Sequence, residues 1–350
     1  MSAMTVPASG SSAATAIRPV PWRKLAWVGW RQQRIALGAA AALLGGMCAW
    51  MLVSGLQMRS ALSSLGLEHC TPLTASSCTT QETVFINDYY SGAQVVVGVL
   101  TVLPILVGAL VGGPMVAREM ETGTFRLSWT QGCGRTRWLI ARLVLLAMAV
   151  TAGATAVSVM FSWYYHPILQ LGQNSPLAPQ IFDLQGAAFA GWTLAALAIS
   201  VCAGALIRRV IPAIAAAVAA WSGLLVAVVF YLRSHYLGPL TGTGLINSTN
   251  GTGQGVPWLL SQWWTQPGGA PASQAEITAL SNQLRQAGGL PTTQAVQQWF
   301  AEQGYVRYFT YQPASRFWQF QLIEGGWLLA LSVLLGAATI LLIRHRATGP

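Results

Sequence analysis

The chain has 350 residues, of which 53% are hydrophobic and only 8% are Asp, Glu, Lys or Arg, and its formal net charge is +10. A soluble protein covers itself with a surface in which roughly a quarter of the residues are charged. This composition excludes a soluble globular protein and predicts a polytopic membrane protein.

The N-terminal region precedes the first apolar run. Residues 1–20 are mostly small and polar and predict a disordered tail. They lack the apolar core of a cleaved signal peptide, so the first span is expected to be retained. In residues 21–34, indole and aliphatic side chains alternate with cations, as in 22-WRKLAWVGWRQQR-34. This pattern predicts an amphipathic helix at the membrane interface, although the flank of any first span can carry the same residues.

Six later stretches are apolar enough to cross a bilayer, which needs roughly 20 apolar residues in a helix. No charged residue lies in the middle of any of them, and their bounds are about 35–56, 92–116, 139–163, 185–207, 210–232 and 325–343. The sequence therefore predicts an all-α membrane protein with spans one to five in residues 35–232, span six at 325–343 and a tail at 344–350. Pro104 and Pro114 predict a kink in span two.

The positive charges indicate the orientation of the chain. Of the 19 Lys and Arg residues, 14 fall in the two termini, in the connection between spans two and three and in the turn between spans four and five. Cations concentrate on the cytoplasmic side of membrane proteins, so both termini and residues 117–138 are expected in the cytoplasm. The net charge is thus a topology signal, and no basic soluble domain points to nucleic acid as a partner.

The cysteines predict one structural bond. Cys70 and Cys78 share the first outer loop, where oxidising conditions permit a disulfide, and the sequence leaves open whether they are bridged. Cys48 and Cys202 lie inside spans and are interpreted as small apolar residues, and Cys133 as a free thiol.

The loop at 233–324 is the only sizeable piece outside the predicted spans. Its Gly- and Thr-rich beginning, 240–255, is expected to be irregular. Ser273 and Glu276 form a capping-box pattern before one short helix, and Thr292 or Thr293 can begin a second that stops at Gly304. We therefore predict a small helical extracellular cap, which either only covers the spans or also gates a path through them.

The sequence contains no motif for chemistry within the chain. It has no HExxH, no GxSxG, no Cys/His cluster with metal spacing and no GxxxxGK[ST] phosphate loop. We therefore expect no catalytic, cofactor-binding or metal-binding residues, and any energy for work must come from a partner.

The charged segment, residues 117–138, stands out in a chain so poor in charge. Contacts with anionic headgroups explain Arg118 and Arg126, but they do not explain Glu119 and Glu121, because carboxylates are poor ligands for an anionic leaflet. Glu121 and Thr122 can end a helical turn at Gly123. The mixed charge favours a docking element for another protein.

Several stretches resemble one transporter family in the expected order. The sequence 119-EMETGTFRLSWTQGCGRTRWLIARL-143 resembles the signature that follows the second span in permeases of the ABC-2 class of ATP-binding-cassette exporters, in particular the separate-chain permeases of actinobacteria. Further similarity lies in 27-WVGWRQQR-34, 182-FDLQGAAFAGW-192, 208-RRVIPAIAAAVAAW-221 and 311-YQPASRFWQFQLIEGG-326. One departure is Gln185, which stands where the family has a basic residue.

The resemblance implies a six-span type V exporter fold in the plasma membrane of a bacterium. A second permease copy or a paralogue would complete the dimer through spans two and five, and a separate ATPase subunit would hold ATP and Mg, with no cofactor in this chain. The coupling helix would be formed by Arg118, Glu119, Glu121, Thr122, Gly123, Thr124 and Arg126.

The expected cargo is an amphipathic or lipophilic molecule moved outward, with membrane lipids as further partners. We expect no catalytic role for the chain. The alternative to an exporter permease is a membrane-anchored assembly or regulatory protein with no transport activity.

Overall fold

The computed structural model describes residues 22–67, 76–122, 135–172, 174–244, 255–288 and 293–346. Within them, six helices are long and apolar enough to cross a membrane, which confirms the predicted all-α polytopic class. The predicted tail at 1–20, Cys70 and most of the charged segment lie outside the described residues. The helices of spans one to six are Trp22–Ser64, Ser76–Thr122, Arg135–Gln170, Gly186–Ile207, Val210–His235 and Phe317–Arg346.

Most of these helices extend beyond the apolar stretches that predict them. Span one is a continuous helix from Trp22, so the predicted interfacial segment is joined to the span without a break. Span six begins at Phe317 rather than near residue 325. Helices continue into their polar flanks because each added residue gains a backbone hydrogen bond, whereas an apolar run marks only the part that faces lipid.

Span four is the centre of the bundle. In the most apolar stretch of span four, 61% of the residues are buried, compared with 17% in that of span one. Small residues let neighbouring helices approach it closely: a Cβ at Gly191 would lie 3.2 Å from Leu328 of span six, and one at Gly204 would lie 2.9 Å from the carbonyl oxygen of Gly113 in span two. Spans one and three pack against each other beside this centre, around Met51 and Phe161.

Spans two and five each contain one π-helical segment. In span two it is Gly108–Gly112, where the amide of Gly113 bonds the carbonyl of Gly108, and Pro114 follows directly. Pro114 lacks an amide proton and therefore cannot donate the next α-helical hydrogen bond. The wider π turn keeps the helix continuous at this point, where a kink is predicted. In span five the segment is Val228–Leu232, followed by a 3₁₀ turn at Arg233–His235.

We use the term cap for residues 236–313, between spans five and six. The two predicted helices are present as Gln274–Gly288 and Thr293–Glu302, and Glu276 donates its amide to the Ser273 hydroxyl at 3.3 Å. Gly304 follows the second helix with φ +80°.

The cap contains a β-sheet as well as helices, which corrects the prediction of a helical cap. A three-stranded antiparallel sheet, in the order β1-β3-β2, joins β1 Leu240–Thr243, β2 Trp258–Thr265 and β3 Val306–Gln312. β1 occupies the beginning of the stretch that was expected to be irregular. The sheet was missed because its central strand pairs with strands more than 40 residues earlier in the chain, so no local hairpin pattern announces it.

Candidate functional sites

The helical part of the charged segment forms the end of span two, Gly113–Thr122. Arg118 and Glu121 are exposed there. Glu119 and Thr122 belong to the same helix, but their side chains are outside the described part of the structure. Gly123, Thr124 and Arg126 also lie outside the described residues, so their coupling role stays a prediction.

Glu121 connects this segment to span five. Its Oε2 accepts a hydrogen bond of 3.3 Å from the backbone amide of Val210, the first residue of the span five helix. The preceding turn is tight, since Arg208 has a left-handed conformation with φ 60° and donates its amide to the carbonyl of Gly204. A carboxylate at this position satisfies a free amide and faces the positive end of the helix dipole. The sequence analysis did not predict this contact within the chain.

The segment is also supported by span four. A Cβ at Gly108 would lie 2.6 Å from the carbonyl oxygen of Ala196, and one at Gly112 would lie 3.0 Å from that of Leu197. The end of span two therefore touches span four by backbone contact and span five by a side-chain hydrogen bond. A displacement of the segment would act on both helices.

A second candidate site lies at the opposite end of span five, and we call it the charge cluster: Asp183, Arg233 and Glu324. Arg233 and Glu324 are fully buried, and the Asp183 side chain is 16% exposed. Arg233 donates to Glu324 twice, from Nε to Oε2 at 3.0 Å and from Nη2 to Oε1 at 2.7 Å. The same Nη2 also pairs with Oδ1 of Asp183. Span five, span six and the segment before span four are thereby joined.

Aromatic side chains surround the charge cluster and donate further hydrogen bonds to it. Trp192 of span four donates from Nε1 to Oε1 of Glu324 at 2.8 Å, and the Tyr236 hydroxyl donates to Oε2 at 3.2 Å. Trp327 donates in turn to the Tyr236 hydroxyl at 3.0 Å. The guanidinium of Arg233 lies 4.6 Å from the centre of the Phe182 ring, a cation–π distance.

The electrostatics of the charge cluster are unbalanced, because two carboxyl groups share one guanidinium. The pKa of Asp183 is raised to about 7, chiefly by burial and also by Glu324, although Arg233 acts to lower it. Burial also raises the pKa of the Tyr236 hydroxyl, and the nearby Glu324 carboxylate adds to the effect. Tyr236 therefore remains a hydrogen-bond donor at neutral pH.

Further polar contacts hold the cap and span four to this end of the bundle. Gln321 of span six accepts from the amide of Ala188 at 2.8 Å and donates to the carbonyl of Phe182 at 3.1 Å. Gln312 donates to the carbonyl of Leu237 at 2.7 Å, and Arg316 to that of Gly238 at 2.7 Å. The charge cluster is thus part of a larger polar joint.

The sequence analysis missed the charge cluster. It assigned Asp183 to the outer connection before span four, and Arg233 and Glu324 to the two ends of the loop at 233–324. Their positions could have indicated the cluster. Each of the three is a single charge directly beside an apolar run, and burying a charge there is costly unless it has a partner. Which charges meet depends on helix packing, and a single sequence does not reveal that.

An open cavity of about 460 Å³ lies beside the charge cluster. It is bounded by the end of span five, β2 and the short helix Pro179–Phe182, and its lining is mostly apolar. Ser234 and His235 supply polar groups at its edge, and the exposed ring of Phe230 lies on its wall.

Two other features bear on the predicted sites. In the described part of the chain, no three His, Cys, Asp or Glu side chains come together as a metal site. Cys78 is disulfide-bonded, whereas Cys48 and Cys202 are free. The pairing of Cys78 with Cys70 stays a prediction because Cys70 is not described.

Six packed apolar helices define a multi-pass membrane protein. A family model described as ABC-2 membrane transporter related matches residues 41–233, and the chain belongs to that family. It is a transmembrane permease of an ABC-2 type system, as the resemblance implied. No curated protein and no solved structure gives a significant match to the chain.

Proposed function

We propose that the chain is the permease subunit of an ABC-2 exporter in a bacterial plasma membrane. It moves an amphipathic or lipophilic molecule outward with energy from ATP that a separate ATPase subunit hydrolyses. The single observation that carries this proposal is the hydrogen bond from Val210 to Glu121, because it joins the docking segment to the first turn of span five.

The mechanism starts at the charged segment. A groove on the ATPase subunit receives residues 118–126, with Arg118 and the acidic side chains in charge pairs. ATP and Mg are bound by that subunit, and this chain contributes no catalytic group. When the ATPase closes, the segment moves, and span five follows through Glu121 while span four follows through its contacts with span two.

The chemistry of the spans supports an amphipathic or lipophilic cargo. Spans two and five expose apolar side chains, including Leu110, Ile211 and Phe230, and a second permease subunit would cover part of this surface. The apolar cavity beside span five fits the same cargo class, because its polar edge is confined to Ser234 and His235.

The test is co-purification with a cassette ATPase encoded beside this chain, followed by ATP hydrolysis in lipid nanodiscs. Glu121→Lys is expected to reduce recovery of the complex and stimulated hydrolysis by about tenfold, which corresponds to the loss of one strong charge pair. Glu121→Gln keeps an acceptor for the Val210 amide and removes only the charge, so it separates docking from helix capping. Glu302→Lys, an exposed acid in the cap, is the matched control.

Normal assembly and hydrolysis with Glu121→Lys would contradict the coupling role. A stable complex that neither stimulates hydrolysis nor moves fluorescent amphiphiles would instead identify the chain as a membrane-anchored assembly or regulatory partner.

A further inference from the structure

The charge cluster contains one negative charge too many if both carboxyl groups are ionised. Arg233 and Glu324 are fully buried, and Asp183 is nearly so. Among these groups the only formal positive charge is that of Arg233, and its Nη2 bonds both acids. An uncompensated buried charge costs several kcal/mol, so a site with this charge count favours a compensating cation.

The smallest cation that fits this geometry is a proton. Both carboxyl groups converge on one guanidinium nitrogen, Nη2 of Arg233, and both oxygens of Glu324 already accept hydrogen bonds. We propose that the charge cluster is a buried proton-binding site, in which the carboxyl group of Asp183 holds the proton. The proton converts one carboxylate to a carboxylic acid, no electrons move, and the cluster becomes neutral with Arg233.

The groups that face the pair support this assignment. Arg233 and Tyr236 are the charged and titratable side chains in contact with the two acids, and Trp192 of span four adds a neutral donor. The neighbouring His235 and Arg316 contact the backbone carbonyls of Tyr231 and Gly238 instead. Tyr236 is kept protonated by burial, so it does not compete for the role.

The proton has a route from the cap side, because the partly exposed Asp183 is the outermost acid while Glu324 lies behind it. The raised pKa of Asp183 means that the folded chain binds this proton more tightly than the unfolded chain. The resulting stability is fully present below the ordinary carboxyl pKa and is lost as pH rises through the raised pKa. Alkaline conditions therefore weaken the joint between span five, span six and the segment before span four.

The test uses the full-length chain in lipid nanodiscs and does not depend on an ATPase or on the proposed function. Thermal unfolding is measured from about pH 5 to about pH 9, on both sides of the raised pKa. The wild-type midpoint is expected to fall as pH rises. Asp183→Asn is expected to fold near the wild-type low-pH midpoint and to lose most of this dependence, because the amide replaces the neutral acid. Glu324→Gln is expected to be destabilised at every pH, because both oxygens of Glu324 accept hydrogen bonds and an amide nitrogen cannot.

The double variant with both amides is expected to differ sharply, because it leaves Arg233 buried with no anion. Its midpoint should lie roughly 10 °C below that of Asp183→Asn. Glu302→Gln, an exposed cap acid, is the matched control and should keep the wild-type pH dependence.

Infrared spectroscopy keeps the proposal falsifiable if a variant fails to fold. The folded wild-type chain at about pH 6 should show the carboxylic C=O stretch of one buried acid, which disappears at high pH. A wild-type spectrum without that band overturns the proposal. The proposal is equally overturned if Asp183→Asn destabilises the chain as much as Arg233→Met does, because Asp183 must then be ionised.

Discussion

At the residue scale, Arg233 is the side chain on which the joint at the cap side depends. It makes two hydrogen bonds to Glu324, pairs with Asp183 and stacks on Phe182. Only a planar guanidinium supplies these directions at once, which explains why the chain buries an arginine rather than a lysine here.

Replacing Arg233 by Met is expected to destabilise the chain by about 3–5 kcal/mol, because it leaves Glu324 buried without its cation. Adding Glu324→Gln to Arg233→Met should recover part of that loss. The measurement is thermal unfolding in nanodiscs at neutral pH. Arg285→Met, at an exposed position in the cap, serves as control, and equal midpoints for both Met variants would refute the assignment.

A second residue-scale prediction concerns Glu276 in the cap. Hydrogen bonds from the Tyr305 hydroxyl at 2.5 Å and from Gln266 at 2.7 Å hold its pKa below the ordinary value. Its contribution to stability is present above the unfolded-state pKa and is lost as pH falls through the lower folded-state pKa. We expect faster amide exchange across Gln274–Gly288 on acidification, after correction for the intrinsic pH effect.

Tyr305→Phe removes the stronger of these two donors, so it should raise the exchange of the same helix at neutral pH and shrink its response to acid. An unchanged response would mean that Glu276 does not titrate in this contact.

At the element scale, spans two and four approach each other so closely that their backbones are in contact. Gly108 lies in the π segment of span two, where an added Cβ would meet the backbone of Ala196. Gly98, ten residues earlier in the same span, has nothing within 4 Å of an added Cβ.

Gly108→Ala is therefore expected to cost about 1–3 kcal/mol, because backbone cannot move aside as a flexible side chain can. Gly98→Ala should be neutral or stabilising by up to about 1 kcal/mol, the helix preference of Ala over Gly. Thermal unfolding of both variants checks the pair. If they had the same midpoint, spans two and four would not be in the described contact.

The elements also show which features a single sequence reveals. Each predicted span was found because long apolar runs report lipid exposure, and the cap helix at Gln274 was found because Ser273 caps it locally. The sheet was not found because β3 pairs with distant strands. The charged segment stood out by composition, but the bond of Glu121 to Val210 depends on how two helices end side by side.

At the scale of the whole molecule, span five connects the two candidate sites. Glu121 contacts its first residue, and Arg233 lies near its last turn. The 23 steps along the helix from Val210 to Arg233 correspond to roughly 35 Å at 1.5 Å per residue. A helix held at both ends can transmit a displacement from one side of the protein to the other.

This arrangement predicts separable phenotypes in the complex with the ATPase. Asp183→Asn should leave assembly intact and flatten the pH dependence of stimulated ATP hydrolysis, whereas Glu121→Lys should reduce assembly at every pH. Hydrolysis by the ATPase alone, measured over the same pH range, is the control. If Asp183→Asn impaired assembly while the pH profile stayed as in the wild type, the two ends would not have these distinct roles.

The π segment at Val228–Leu232 determines the direction in which the Arg233 side chain leaves span five. A π turn accommodates one residue more than an α-helical turn, and one residue corresponds to a rotation of about 100°. Because Arg233 follows this segment immediately, the additional residue fixes its angular phase. Deleting Val229 would turn the guanidinium away from Glu324. This one additional residue therefore keeps the charge of Arg233 inside the protein.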